Sequence, residues 1–391
     1  MPGFNRLQRY EPARNVLAQQ HHYLRMVEAG TLNGQAVARV MTRLKRAGFE
    51  PDVIVAHPGW GETLYAKDIF PHARLIHLCE WYYSDDGGAT RDFDPEFPST
   101  LDDQARTRTW NMLHALNLMQ CDVAVSPTQW QRSRHPVLAQ QKIVVQHEGI
   151  STTTLRPDLY ARVAVPSGKV LRVGDPVVTY VARNLEPYRG FHVFMRALQR
   201  LQSAHPHVHA LIVGGDGTSY GPPPRDAANW RERLLREVRI DPSRTHFLGR
   251  IAYRDYLRVL QISSAHIYLT YPFVLSWSAL EAMACGALVI GSDTAPVREV
   301  IDHGVNGILV PFFDTEALVK ATMSALEHPR DFEGVRERAR ASVQKFGLNE
   351  ALAGYDALLG VSQPHSAATA FACGTSSSTT GPLPLYLSSA R

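Results

Sequence analysis

Long apolar runs are missing from this chain. No stretch approaches the ~20 residues that a membrane-spanning helix needs, and the opening MPGFNRLQRYEP has no signal-peptide core. A transmembrane span is therefore not expected. Peripheral membrane contact stays open, although no strongly basic amphipathic helix argues for it. Cysteine is scarce: Cys79, Cys121, Cys285 and Cys373 are the only four in 391 residues, widely spaced and without a CxxC pair. That spacing argues against a structural zinc and for a reducing compartment, the cytoplasm. Charge of one sign is also lacking, with a net +4 and no Lys/Arg block, so nucleic-acid binding has little support.

What is present is alternation. The length exceeds what one hydrophobic core usually serves and suggests two domains. Apolar spacings of three and four predict helices over Asn15–Glu28 and Gly34–Ala47, followed by buried strands at Val53–Ala56, Leu75–Cys79, Val123–Val125 and Ile143–Gln146. From Ser151 to Pro176 the periodicity fades and Pro and Gly gather, which reads as a linker. A second series of strands and helices begins at Val177 and runs to Glu327. The expectation is an α/β protein of two doubly wound, Rossmann-like domains facing a central cleft, with ligands at the carboxyl ends of the strands. Their predicted extents are 1–158 and 159–345, with a terminal helix at 346–360 returning to the first domain. Residues 361–391, rich in Ser, Thr, Ala, Gly and Pro, read as a disordered tail.

The most informative stretch is Thr270–Val300. A strand at His266–Leu269 delivers a loop to a helix starting near Ser276–Ser278, with Glu281 about one turn inside. Free N–H groups at that helix start favour a phosphate. Further landmarks accompany it: Val181-Ala182-Arg183 with Arg189-Gly190, Ile212 to Gly217, Phe247-Leu248-Gly249-Arg250, Leu280 to Gly286, and Gly304 to Val310. In this order they resemble the donor-binding domain of the retaining glycosyltransferases of family 4, the glycosyl transferases group 1, which have the GT-B fold. Ser126-Pro127-Thr128-Gln129-Trp130 and His147-Glu148-Gly149-Ile150 agree less strictly.

The resemblance implies a nucleotide-diphosphate sugar as donor, no required cofactor or metal, and transfer to a carbohydrate, lipid or protein acceptor with retention of configuration. Arg183 and Arg189 then clamp the departing diphosphate, with arginine at the second position where the family usually has lysine. Gly214 and Gly215 let backbone approach a ligand or simply form a turn. Gly249, Arg250 and Ile251 meet the base, Ser276 and Trp277 offer groups to the phosphates, and Glu281 accepts from the ribose hydroxyls. The family's two glutamates are separated by seven residues; here the earlier position is Phe273. Its role in sugar recognition is not carried over, and Phe273 reads either as a sugar platform or as packing beside Trp277.

In the first half, His57-Pro58-Gly59-Trp60-Gly61-Glu62 follows a strand and reads either as an acceptor-side wall or as a turn in which Glu62 caps the next helix. Glu80 ends the next strand, about where related enzymes carry a histidine near the sugar, and reads either as an acid/base or acceptor contact or as a structural residue. The acidic run Asp85, Asp86, Asp92, Asp94 and Glu96 lacks recognisable metal-ligand spacing and reads as a solvated loop. No strand–glycine–helix unit precedes Val53, so the first domain reads as incomplete, whether through start-site choice or deletion. Two other readings stay open: a nucleotide-sugar binding protein with little turnover, and a phosphorylase or epimerase on the same fold.

Overall fold

Short runs rich in β-branched residues, separated by helices, dictate parallel pairing, because a chain that crosses back through a helix re-enters the sheet in the same direction. In the computed structural model, which describes residues 7–83 and 92–360, this happens twice. Asp85, Asp86, Cys373 and the Ser/Thr-rich tail lie outside the described residues.

The first sheet has order β1-β2-β3-β4, all parallel: β1 (Val53–Ala56), β2 (Arg74–Leu78), β3 (Val123–Ser126) and β4 (Ile143–Val145). Helix α1 (Arg25–Arg46) precedes it, and α2 (Ala66–Ile69), α3 (Leu101–Gln120), α4 (Gln129–Ser133) and α5 (Val137–Gln140) lie between the strands. One expectation is corrected here. Residues 15–24 hold no helix, and the predicted break around Gly30–Gly34 is interior to α1. Those glycines serve packing: a Cβ at Gly34 would sit 2.6 Å from the Gly61 carbonyl oxygen, and one at Gly30 would overlap Leu113 of α3. Removing side chains there lets α1 lie directly on the turn that follows β1.

The predicted linker also needs correction. It contains an antiparallel pair, β5 (Arg162–Ala164) and β6 (Val170–Arg172), whose alternation turns Leu171 fully inward against Val177, Leu211 and Val213. A run of only three residues per strand is too short to stand out as a period.

The second sheet contains β7 (Val177–Asn184), β8 (His209–Gly215), β9 (Thr245–Gly249), β10 (Ala265–Tyr268), β11 (Val289–Ser292) and β12 (Ile308–Val310). Its order is β12-β11-β10-β7-β8-β9, every pair parallel. Helices α6 (Phe191–Ala204), α7 (Trp230–Glu237), α8 (Tyr253–Gln261), α9 (Trp277–Ala284), α10 (Ala295–Arg298) and α11 (Thr315–Glu327) connect or follow the strands. The chain winds outward from β7 to β9, then restarts at β10 on the other side of β7. That reversal opens a crevice beyond the carboxyl ends of β7 and β10, the usual ligand position in such sheets. The core beneath is apolar: Tyr180, Phe191, Phe194, Leu198, Leu211 and Ile212 are 1% exposed or less.

After α12 (Glu333–Ser342) the chain returns to the first half as α13 (Leu348–Leu359). Ile150 N–H donates to the Phe346 carbonyl at 2.8 Å, and Gly149 faces Leu348 and Ala351 so closely that a Cβ there would overlap Ala351. A second tie crosses elsewhere: Glu299, just past α10, accepts from the N–H groups of Gln129 and Trp130 at 2.7 and 2.8 Å, capping the start of α4.

Candidate functional site

The site begins where β7 ends. Arg183 stands exposed beside the crevice and makes no hydrogen bond or ion pair to another described residue. Arg189, at the turn into α6, is different: it is 7% exposed, and its Nη1 donates to Thr270 Oγ1 and to the Val274 carbonyl, both at 2.9 Å. Its guanidinium also lies over the rings of Tyr220 and Phe273, at 5.2 and 5.9 Å. Burial works against its charge, but the neighbouring hydroxyls of Tyr268 and Tyr220 hold its pKa above the usual arginine value. The two cations that look alike in sequence therefore do different things. Arg183 is open, whereas Arg189 fixes the 270–274 loop.

Between them lies a residue that sequence reasoning missed. Glu186 is fully buried and accepts from three successive backbone N–H groups, Ser219 at 3.0, Tyr220 at 3.1 and Gly221 at 3.0 Å. Burial raises its carboxyl above the ordinary range, and those three donors pull the other way. It clamps the loop after β8 over Arg189. A glutamate placed between two expected anion-binding arginines was the available signal.

Gly214 and Gly215 divide in the same way. A Cβ on Gly214 would lie 2.8 Å from both the Ala182 oxygen and Leu185, so this glycine serves the approach of β8 to β7. Gly215 sits beside Asn184 and the Arg250 guanidinium, and Arg250 Nη2 donates to Asn184 Oδ1 at 3.1 Å. The register of β8 with β9 slips at this level, so that Val213 faces Gly249, which has φ +65° and open space where a Cβ would be. Arg250 is exposed and Ile251 half-buried. Gly215, Gly249 and Arg250 thus lie together at the end of β8 and β9.

Ser276 caps α9 and Trp277 opens it, 41% exposed. The Ser276 N–H is taken by the Tyr268 hydroxyl at 2.7 Å. Glu281 is 7% exposed, and both its carboxylate oxygens have protein partners. Tyr253 donates to Oε1 at 2.8 Å and Tyr256 to Oε2 at 2.5 Å, both from α8. Burial raises its pKa and the tyrosines oppose the rise. Each carboxylate oxygen retains a further lone pair, so the group is satisfied without being saturated. Phe273, at 9% exposure, is packing: it meets Trp81 edge-on at 4.7 Å and Tyr220 at 4.9 Å, joining the two halves.

The first half contributes Glu80. Its backbone carbonyl is held by Gln131 Nε2 at 2.8 Å, and the residue is exposed. Surrounding protein raises its carboxyl pKa, while Arg183 and Arg189 lower it. Glu148, quoted in sequence only as part of a landmark, stands close enough to feel the Glu80 charge, and its pKa is pushed up to about 7, chiefly by burial. Glu62 caps nothing. Tyr10 donates to it at 2.8 Å, and the short turn Pro58–Trp60 is capped instead by His57 Nδ1, which accepts from Gly59 N–H at 3.1 Å.

Where it is described, the acidic run is a solvated loop at Asp92 and Glu96, which are exposed, but not at Asp94. Asp94 is 2% exposed and lies in the second half's core, 2.9 Å from His192 and 2.5 Å from the Tyr271 hydroxyl. Phe93 packs among Tyr271, Phe312 and Phe313, Phe97 meets Trp230, and Glu96 pairs with Arg196. Apolar residues between the acids, read as loop composition, carry the segment inward. Ligand atoms of Asp94, Glu96 and His192 lie within 4.8 Å of one another, but the carboxylates are already engaged by Tyr271 and Arg196.

Residues 1–155 match the family described as Glycosyl transferase family 4 group, and residues 175–328 match Glycosyl transferases group 1. The glycogen synthase of Mycobacterium tuberculosis is 28% identical over 174 residues, covering 44% of this chain and 39% of that protein. A phosphatidyl-myo-inositol mannosyltransferase of Mycolicibacterium smegmatis is 30% identical over 178 residues, 43% of this chain and 41% of the relative. The chain thus spans about two fifths of the length of these curated relatives. Among solved structures, Anabaena HepE in complex with UDP-glucose superposes with TM-score 0.61 at 18% identity, covering 84% and 83% of the two chains. Sucrose-phosphate synthase from Thermosynechococcus elongatus gives 0.65 at 20%, covering 86% and 80%. At such identities the likeness establishes the fold, the GT-B arrangement of two facing parallel-sheet domains.

Proposed function

Because this chain belongs to the family 4 (group 1) glycosyl transferases, we propose that it transfers a sugar from a nucleotide-diphosphate donor to an acceptor with retention of anomeric configuration. The carrying observation is that Arg183, in the last residues of β7, stands exposed beside the crevice at the carboxyl ends of β7 and β10, and that it and Arg189 both lower the carboxyl pKa of Glu80, just past β2. The two sheets therefore present opposite charges to one cleft. On this reading Arg183 offers its open fork to the leaving diphosphate, stabilising the charge that develops as the sugar departs. Arg189 acts mainly by holding the loop before α9, whose free N–H groups face the same phosphates. Gly215, Gly249, Arg250 and Ile251 line the base end, and Glu281, oriented by Tyr253 and Tyr256, accepts from the ribose with its remaining lone pairs. The acceptor approaches on the Glu80 side, and the departing phosphate takes its proton on the face it leaves.

UDP-glucose is the first donor to try, since a neighbour of the same fold was solved with it. A hydrolysis screen over UDP-, GDP- and ADP-sugars, read by NMR, is expected to release an α-configured sugar from an α-linked donor; a β product rules out retention. Arg183→Ala is expected to remove the thermal shift given by the matching nucleotide. An unchanged shift would place the donor elsewhere. The packing of Phe273 against Trp81 and Tyr220 favours the second reading, nucleotide-sugar binding without turnover, which predicts the same shift with neither hydrolysis nor transfer.

A further inference from the structure

The loop before α9, which Arg189 holds from the second half, is also held from the first. Both of its ends are fixed within the second half: Thr270 N–H donates to Ser292 Oγ of β11 at 3.1 Å, and the Val274 carbonyl accepts from Arg189 at 2.9 Å. Between them Tyr271 is buried, with its backbone N–H on the Tyr188 carbonyl at 3.0 Å and its own carbonyl accepting from Phe273 N–H at 2.6 Å. The Tyr271 hydroxyl donates to Asp94 Oδ2 at 2.5 Å, a bond between groups 177 residues apart. Asp94 is equally buried and belongs to the segment between β2 and α3, so the bond crosses from one half to the other. On its far side Asp94 lies 2.9 Å from His192 Nε2 in α6, and its Oδ1 accepts from Glu96 N–H at 2.9 Å. Phe93, next to it, packs on the Tyr271 ring at 5.1 Å.

A hydroxyl bonded to a carboxylate inside the protein has no water to take the place of its partner, and charge assistance makes such a bond short and strong. A tyrosine side chain is stiff, with two torsions between its ring and the backbone, so an anchored hydroxyl restrains the chain at residue 271. Phe273 N–H rests on the Tyr271 carbonyl and carries that restraint toward Val274. We propose that Asp94 is a positioning residue for the donor end of the cleft: through the Tyr271 hydroxyl, the first half sets the conformation of residues 270–274 and of the backbone N–H groups that open α9. The loop then takes its binding shape only with the Phe93–Phe97 segment docked. The consequence for the donor rests on the proposed donor site; the restraint of the loop by Asp94 does not.

Two variants of the whole chain separate positioning from stability. Tyr271→Phe removes the hydroxyl and keeps the ring among Phe93, Tyr188 and Phe312. His192→Gln disturbs the other side of Asp94 and leaves the Tyr271 bond in place. Both are expected to melt at a lower temperature than the native protein. Hydrogen exchange without nucleotide, well below both melting temperatures, is expected to be faster at the amides of residues 271 and 273 in Tyr271→Phe than in His192→Gln. Exchange at those amides that is no faster than in His192→Gln overturns the proposal. Calorimetry with UDP supplies the second arm. Tyr271→Phe is expected to bind UDP roughly tenfold more weakly than the native protein, whereas His192→Gln binds it as the native protein does. Equal affinity in Tyr271→Phe and the native protein, or losses in both variants that follow their melting temperatures, overturns the link to the donor. Absence of UDP binding by the native protein refutes the donor site, while the exchange result still decides the restraint.

Discussion

Arg183 and Arg189 are the same residue type six positions apart, and substituting each with alanine should separate their roles. Arg183→Ala, at an exposed position without a hydrogen bond or ion pair to another described residue, is expected to change unfolding free energy by less than about 0.5 kcal/mol while removing the nucleotide-induced shift. Arg189→Ala breaks buried bonds to Thr270 and Val274 and is expected to cost about 3–5 kcal/mol, read by urea denaturation. Tyr256→Phe should cost about 1.5–3 kcal/mol, because it removes a buried donor to a carboxylate, and should raise the Glu281 pKa further. Glu148 supplies a pH prediction with a definite sign. Its folded pKa lies above the unfolded one, so its contribution is complete at acid pH and is lost as pH rises from the ordinary glutamate range through about 7. Melting temperatures across that window should fall less steeply in Glu148→Gln. The positions of Arg183, Arg189 and Glu281 were legible because short motifs hold them at fixed offsets from strand ends. Their partners were not, since Tyr253, Tyr256 and Thr270 arrive from other elements.

Loops and helix contacts show the same division. The strand that ends at Gly215 and the glycine-rich turn after it are plain from composition, but the clamp that shapes the turn comes from Glu186, more than thirty residues earlier. Glu186→Ala is expected to cost about 2–4 kcal/mol and to raise hydrogen exchange at Ser219, Tyr220 and Gly221, leaving Tyr220 free to leave the Arg189 guanidinium. Exchange unchanged at those amides would mean that the loop holds itself. Likewise Gly30 and Gly34 argue for a helix break when propensity alone is weighed. They sit inside α1 because the Gly61 turn and Leu113 need the space, a requirement set by residues far along the chain.

The two halves are joined by contacts that no local pattern announces. The segment Phe93–Phe97 leaves the first half and buries Asp94 beside His192 and Tyr271, while α13 makes the return crossing against Gly149. Burial opposes ionisation of Asp94, but His192, Tyr271 and the Glu96 N–H together hold its pKa below the usual range. Its stabilisation is therefore present above the ordinary aspartate range and is lost as pH falls through the depressed value. Asp94→Ala is expected to destabilise the fold by about 3–5 kcal/mol, because His192 is left buried without its partner. Small-angle scattering should show a larger radius for the variant if this segment fixes the spacing of the halves; an unchanged radius would assign that job to α13 and Glu299.

Parallel pairing and the two doubly wound halves followed from local alternation, because alternation depends on residues near one another in the chain. Which arginine is open, what satisfies Glu281 and why Asp94 is buried were decided by tertiary structure. Each of those depends on groups brought together from distant segments, and a buried charge takes its protonation and its role from whatever surrounds it in space.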